Sequence, residues 1–183
     1  MKKIAVFVAP GFEEGETVTV ADILRRGEMH CDLVGLENVV TGAHNISIQC
    51  DRVIDDEIAQ EYDMIVLPGG RPGADNLRDN DLVIKAIKDM KKEDKWIAAI
   101  CAAPIALERA GVLEDKNFTV YPGYDEIIKS GNYKEDIVVV DGKLVTSRGP
   151  ATVFEFSYTL LDLLGVDTSI LRERMLYNFV LEQ

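Results

Sequence analysis

Basic residues are scarce in this chain. Its 183 residues carry 20 lysines and arginines against 32 aspartates and glutamates, a formal net charge of −12. Clustered Lys and Arg supply most affinity for nucleic acid and anionic membranes, so neither is expected as a partner. Long apolar runs are missing too, and nothing approaches the ~20 consecutive apolar residues of a membrane span. The opening MKKIAVFVAPGFEEGE starts basic and apolar like a signal peptide. Its apolar run is only a strand long, however, and Glu13, Glu14 and Glu16 follow at once, which argues against that reading. Cysteine is limited to Cys31, Cys50 and Cys101. An odd number without close spacing excludes a disulfide framework and a zinc pattern, so no metal is expected. Free thiols fit a reducing, cytoplasmic compartment. Histidine is scarcer still, with only His30 and His44.

What the chain does have is 47% hydrophobic residues in a length that suits one domain with a substantial core. KIAVFVA (3–9) is nearly all apolar, as a strand buried on both faces should be. PGFEEGE then reads as an acidic turn, followed by a helix over TVTVADILRR with Gly27 as its stop. HCDLVGL is a second strand, and NVVTGAHNISIQCD a hairpin turning around residues 41–44. EYDMIVLPGG is another buried strand ending in two glycines. Residues 74–94 read as one amphipathic helix. KWIAAI leads into a helix over 102–110 with Gly111 as its stop. NFTVYPGYDEIIKSG is expected to hold a short strand, a turn and a short helix. DIVVVDGKLVTSRG is a hairpin with Asp141-Gly142 as its turn, and two helices end the chain. Strands alternating with helices imply a mostly parallel sheet covered on both faces, with added hairpins. In such sheets ligands bind beyond the carboxyl ends of the strands. APGFEEGE, LPGGRPGA and ICAAP should therefore meet at one edge, joining an acidic cluster, a glycine pair and a cysteine.

A free cysteine is most often a buried structural residue. Cys101 stands where a strand gives way to a helix, facing unpaired N–H groups and the positive end of the helix dipole. Both are expected to lower its pKa. Ala102 and Ala103 permit a sharp turn, as in a nucleophile elbow, and Pro104 suits a first helical turn. The N–H groups of Ala102 and Gly70 could serve as oxyanion donors. Crowded carboxylates raise one another's pKa, so a protonated glutamate of GFEEGE could donate a hydrogen bond to the sulfur. The residues alone leave open whether that is Glu13, Glu14 or Glu16.

GFEEGET, YDMIVLPGG…GADNL, AAICAAPIALERAGVL and LVTSRGPAT…FEF together resemble the ThiJ/PfpI superfamily. The likeness is greatest to the branch of the Parkinson-disease-associated protein deglycase and bacterial YajL. It runs from residue 1 to about 165 and implies that residues 1–183 form a single domain of the class I glutamine amidotransferase-like type. The implied fold is a flavodoxin-like three-layer sandwich, usually in a homodimer. The resemblance puts the nucleophile at Cys101, the protonated glutamate at Glu16 and oxyanion donors at the Gly70 and Ala102 N–H groups. It places SRGP, with Gly149 and Pro150, around the same pocket. It departs at Tyr121, which occupies the position of a histidine in that branch, and at Ala102, where the protease-like branch has one. Cys–His acyl transfer is therefore poorly supported, and His44, at a hairpin tip, is the one imagined source of an imidazole across a dimer interface.

With the reactive elbow, the resemblance implies a cofactor-free cysteine enzyme acting on small aldehydes or dicarbonyls, glyoxalase- or deglycase-like. Cys101 attacks, Gly70 and Ala102 hold the oxyanion, Glu16 shuttles the proton, and Tyr121, Gly149 and Pro150 help to bind substrate. The rival is a non-enzymatic oxidative-stress sensor or chaperone using Cys101, whose oxidation product Glu16 would stabilise. Amidase or peptidase activity ranks last.

Overall fold

The computed structural model describes residues 1–182. In chain order the elements are β1 (Lys3–Val8), α1 (Glu14–Arg26), β2 (His30–Gly35), β3 (Val39–Thr41), β4 (Ser47–Gln49), β5 (Arg52–Val53), α2 (Ile58–Glu61), β6 (Met64–Leu67), α3 (Gly73–Asp79), α4 (Asp81–Lys92), β7 (Trp96–Ile100) and α5 (Pro104–Ala110). Then come β8 (Asn117–Phe118), β9 (Asn132–Tyr133), β10 (Val138–Asp141), β11 (Leu144–Ser147), α6 (Val153–Leu163), α7 (Ser169–Arg174) and α8 (Tyr177–Leu181).

Seven strands form the central sheet in the order β10-β11-β7-β6-β1-β2-β5. Only β10 runs antiparallel to its neighbour. The central strands are apolar along their whole length because helices cover both faces. Ile4 to Val8 and Met64 to Leu67 are all completely buried. Each large side chain among them stabilises the fold by about 1.5–3 kcal/mol. α1 packs against α6 on one face, and α3, α4 and α5 pack together on the other, completing a three-layer sandwich. Among the described residues no helix is long and apolar enough to cross a membrane.

Several local expectations are corrected. α1 begins at Glu14, so Glu14 and Glu16 belong to its first turn. The amphipathic stretch of 74–94 is two helices, broken at Asn80. That residue is extended (φ −88°, ψ 120°), and its side-chain oxygen accepts the N–H groups of Leu82 and Val83 at 3.0 and 3.1 Å. Such an N-cap contributes about 1 kcal/mol, enough to restart the helix in a new direction. α5 begins at Pro104, with 101–103 forming the turn before it. The short helix expected near 124–130 is a series of turns. Asp141 pairs with Leu144, so the hairpin turn is Gly142-Lys143, with Gly142 at φ +63°. The last helix is split at Leu176, whose φ is +57°.

Candidate active site

The chain leaves β1, β6 and β7 at the same edge of the sheet, because these three strands are parallel neighbours. β1 lies between β2 and β6, so the connections on its two sides run in opposite directions and open a crevice there. Backbone hydrogen bonds tie the exits together: Glu13 N–H to the Gly69 carbonyl and Gly73 N–H to the Gly11 carbonyl, both 3.0 Å. Cys101 sits on the exit from β7 with φ +62°. A non-glycine residue is held there at a cost of about 1–2 kcal/mol. The Cys101 N–H to the Ser147 carbonyl, and the Tyr121 N–H to the Cys101 carbonyl, both 3.0 Å, fix this elbow.

The glycine pair is required by close approach. At Gly70 (φ +101°) a Cβ would lie 2.4 Å from the Glu13 nitrogen and the Gly11 oxygen. At Gly69 it would lie 2.6 Å from Cys101 Cβ and 3.0 Å from both Cys101 Sγ and Glu16 Oε2. The backbone thus runs directly against the thiol and the carboxyl. The Gly70 and Ala102 N–H groups lie close enough to the Cys101 sulfur to favour its thiolate.

Glu16 is fully buried. Its Oε2 accepts the Gly69 N–H at 2.8 Å, and its Oε1 is buried with no hydrogen-bond partner among the described residues. Burial pushes its pKa up to about 7, against the lowering effect of the Gly69 bond and of the neighbouring Cys101. The thiol of Cys101, 9% exposed, is pushed up as well, first by burial and then by the charge of Glu16. The Gly70 and Ala102 N–H groups work in the opposite direction without prevailing. The expectation of a lowered thiol pKa is therefore corrected: α5 has only seven residues, and its end does not outweigh desolvation. Two acids in contact do not both ionise near neutral pH, and the pair titrates as a unit. Cys31 and Cys50 are buried, and burial pushes them to about 12 and about 11, so they remain inert thiols.

A cavity of about 500 Å³ opens over the sulfur. Gly70, Ala102, Tyr121 and Pro150 line it, as do Arg71 and Tyr124. Gly149 does not. It lies behind Tyr121, where a Cβ would come within 3.3 Å of the phenol ring, so it supports the wall without forming it. Glu16 also stays off the wall, entirely within the protein. Neither histidine lines the cavity. His44 Nδ1 pairs with Glu14 Oε2 at 3.0 Å, and Glu14 Oε1 accepts the His44 backbone N–H at 2.7 Å. Glu14 is thus the anchor of the β3–β4 hairpin tip, distinct from the Cys101 pair. His30 pairs with Asp32. Gly69, Arg71 and Tyr124 were not foreseen in these places. The double glycine was a signal for Gly69, whereas nothing local announced the other two.

Residues 2–163 match the family model described as the DJ-1/PfpI family. Protein DJ-1 homolog B of Arabidopsis thaliana is 37% identical over 174 residues, which cover 92% of this chain and only 40% of that protein. The glutathione-independent glyoxalase DJ-1 of Schizosaccharomyces pombe is 31% identical over 174 residues, covering 88% of this chain and 91% of that one. A solved structure of a DJ-1 superfamily protein from Salmonella typhimurium, a cysteine-to-alanine mutant, superposes with a TM-score of 0.90 at 33% identity and covers 98% of both chains. The sandwich is accordingly flavodoxin-like.

Proposed function

The chain belongs to the DJ-1/PfpI family, and from that premise we propose that it is a cofactor-free cysteine enzyme converting small 2-oxoaldehydes to 2-hydroxy acids. The observation that carries this reading is the buried Glu16 carboxyl, with one oxygen unpartnered, beside a thiol on a strained elbow at the floor of a cavity. Glu16, with a pKa of about 7, is half ionised at neutral pH and takes the proton of Cys101 as the sulfur attacks the aldehyde carbon. Negative charge on the former aldehyde oxygen is met by N–H groups of Gly70 and Ala102. Glu16 returns the proton to that oxygen, giving a hemithioacetal. The regenerated carboxylate then accepts the hydrogen of the first carbon as a proton, leaving an enediolate with its charge on the oxygen of the second carbon; the hydroxyl proton of the first carbon passes to that oxygen, and Glu16 delivers its proton to the second carbon. The first carbon reaches the oxidation level of a thioester and the second becomes an alcohol. Water cleaves the thioester and restores the thiol. One water is added overall, and no external oxidant or reductant is consumed.

Tyr121 stands where an imidazole would be expected, and its hydroxyl serves as a hydrogen-bond donor to substrate. With no histidine on the cavity wall, the proton work falls to Glu16. As the resemblance implies, the working form is taken to be a homodimer, and its three free cysteines suit a reducing, cytoplasmic compartment. The test is lactate formation from methylglyoxal, followed by proton NMR with the purified protein. Turnover that is lost in Cys101→Ala supports the reading. An inert protein whose Cys101 is instead converted by peroxide to a sulfinic acid would replace it with the redox-sensor role.

A further inference from the structure

We propose that Arg71 makes this site selective for 2-oxoaldehydes that carry a carboxylate at the far end of the molecule. The inference rests on the carbonyl chemistry proposed above and adds the substrate class. Arg71 is the only cation lining the cavity, in a chain whose net charge of −12 otherwise repels anions. It directly follows Gly70 and shares the cavity wall with Cys101. Its Nε donates to the Tyr124 hydroxyl at 2.8 Å, and its guanidinium carbon lies 5.5 Å from the centre of the Tyr124 ring. Tyr124 is braced edge-on against Tyr121, with centroids 6.4 Å apart.

The fork is thus anchored through Nε, and no carboxylate pairs with its two terminal nitrogens among the described residues. Among the described residues no ion pair joins Arg71 to its acidic neighbours Asp75 and Glu13. Asp75 pairs with Arg78 at 2.8 Å. Glu13 also borders the cavity, but its carboxylate sits with Glu14 and His44, their ligand atoms within 4.8 Å of one another. An anchored guanidinium with two free nitrogens matches a carboxylate bidentately. Ile127 and Pro122 provide an apolar wall for methylenes between the two ends of such a substrate. A volume of about 500 Å³ is far more than a three-carbon dicarbonyl needs.

For 4,5-dioxopentanoate the reaction adds one water and yields 2-hydroxyglutarate. The experiment measures kcat and KM for 4,5-dioxopentanoate and for methylglyoxal in wild type, Arg71→Gln and Arg71→Lys. Because Arg71 is exposed to solvent, loss of its charge and fork should lower the ratio of the two kcat/KM values about 2- to 5-fold in Arg71→Gln, chiefly through the KM for the acid. Arg71→Lys should fall between, since it keeps the charge and loses the fork. Equal changes for both substrates, or none, would overturn the proposal. A second readout does not depend on turnover: protection of Cys101 from iodoacetamide by 4-oxopentanoate against uncharged 2-pentanone. If wild type turns over neither aldehyde, the carbonyl reading fails, yet protection by the acid alone that Arg71→Gln abolishes still upholds the carboxylate site. Equal protection by both compounds, or by neither, removes it.

Discussion

Replacing Glu16 by Gln should stabilise the protein at pH 8 and leave its stability nearly unaltered at pH 4. The folded-state pKa of Glu16 is raised from 4.5 to about 7 by burial. At pH 4 the carboxyl is protonated in both the folded and the unfolded chain, so Glu and Gln are close equivalents. Between 4.5 and 7 the unfolded chain releases its proton while the folded chain retains it. The folded state then binds more protons, and stability falls as pH rises. The full difference is about 3 kcal/mol, from 1.36 kcal/mol for each pH unit between the two values. For a domain of this size that is about 6–12 °C in Tm. It does not matter whether the single charge rests on the carboxylate or passes to Cys101, because the pair loses one proton either way. Other groups titrate over the same range, so the quantity to follow is the difference in Tm between Glu16→Gln and wild type, measured from pH 4 to 8 by differential scanning calorimetry. It should widen steadily up to about pH 7 and then level off. A difference that is constant across the range would mean that Glu16 ionises normally, and the argument from its burial would fail.

Gly70→Ala places a Cβ 2.4 Å from two backbone atoms at φ +101°; the strained conformation alone costs about 1–3 kcal/mol, so thermal melts should show a loss at the upper end of that range or beyond, and unchanged stability would contradict the close packing of the three strand exits. His44→Ala should slow methylglyoxal turnover less than twofold, because His44 pairs with Glu14 away from the cavity; a large loss would demand an imidazole in the mechanism. Tyr121→His, which puts an imidazole on the cavity wall, should raise turnover, and an inactive variant would show that the phenol does more than donate a hydrogen bond.

Much of the fold could be read directly. The apolar runs of β1, β6 and β7 marked strands covered on both faces, and their parallel order brought three separate loops to one edge. The elbow was also visible, since Cys101 followed by two alanines and Pro104 leaves little else for that turn to be. The resemblance pointed to Glu16, but a physical reason for choosing it among three glutamates needed the start of α1. Once the helix begins at Glu14, Glu16 falls in line with the buried Val20, Ile23 and Leu24, four, seven and eight residues on, and its carboxyl must point inward. Read as a turn, PGFEEGE concealed that phase. Asn80 was hidden for a different reason: hydrophobic periodicity continues across it, and only its side-chain cap breaks the helix. The thiol pKa was misjudged because a sequence displays the helix end and not the depth of burial. Arg71 and Tyr124 are 53 residues apart, and only the fold brings them to one wall.

The central claim is that Glu16 governs the proton of Cys101. The most direct measurement is the rate of Cys101 alkylation by iodoacetamide from pH 5 to 9, in wild type and Glu16→Gln. Cys31 and Cys50, with pKa values pushed to about 12 and about 11, stay silent in this range. In wild type the rate should rise through about 7, as the pair gives up its first proton. In Glu16→Gln that step should vanish and reactivity should move above the ordinary thiol value of about 8.5, because burial remains and the acceptor is gone. A wild-type profile centred on the ordinary thiol value and unchanged in Glu16→Gln would contradict the account.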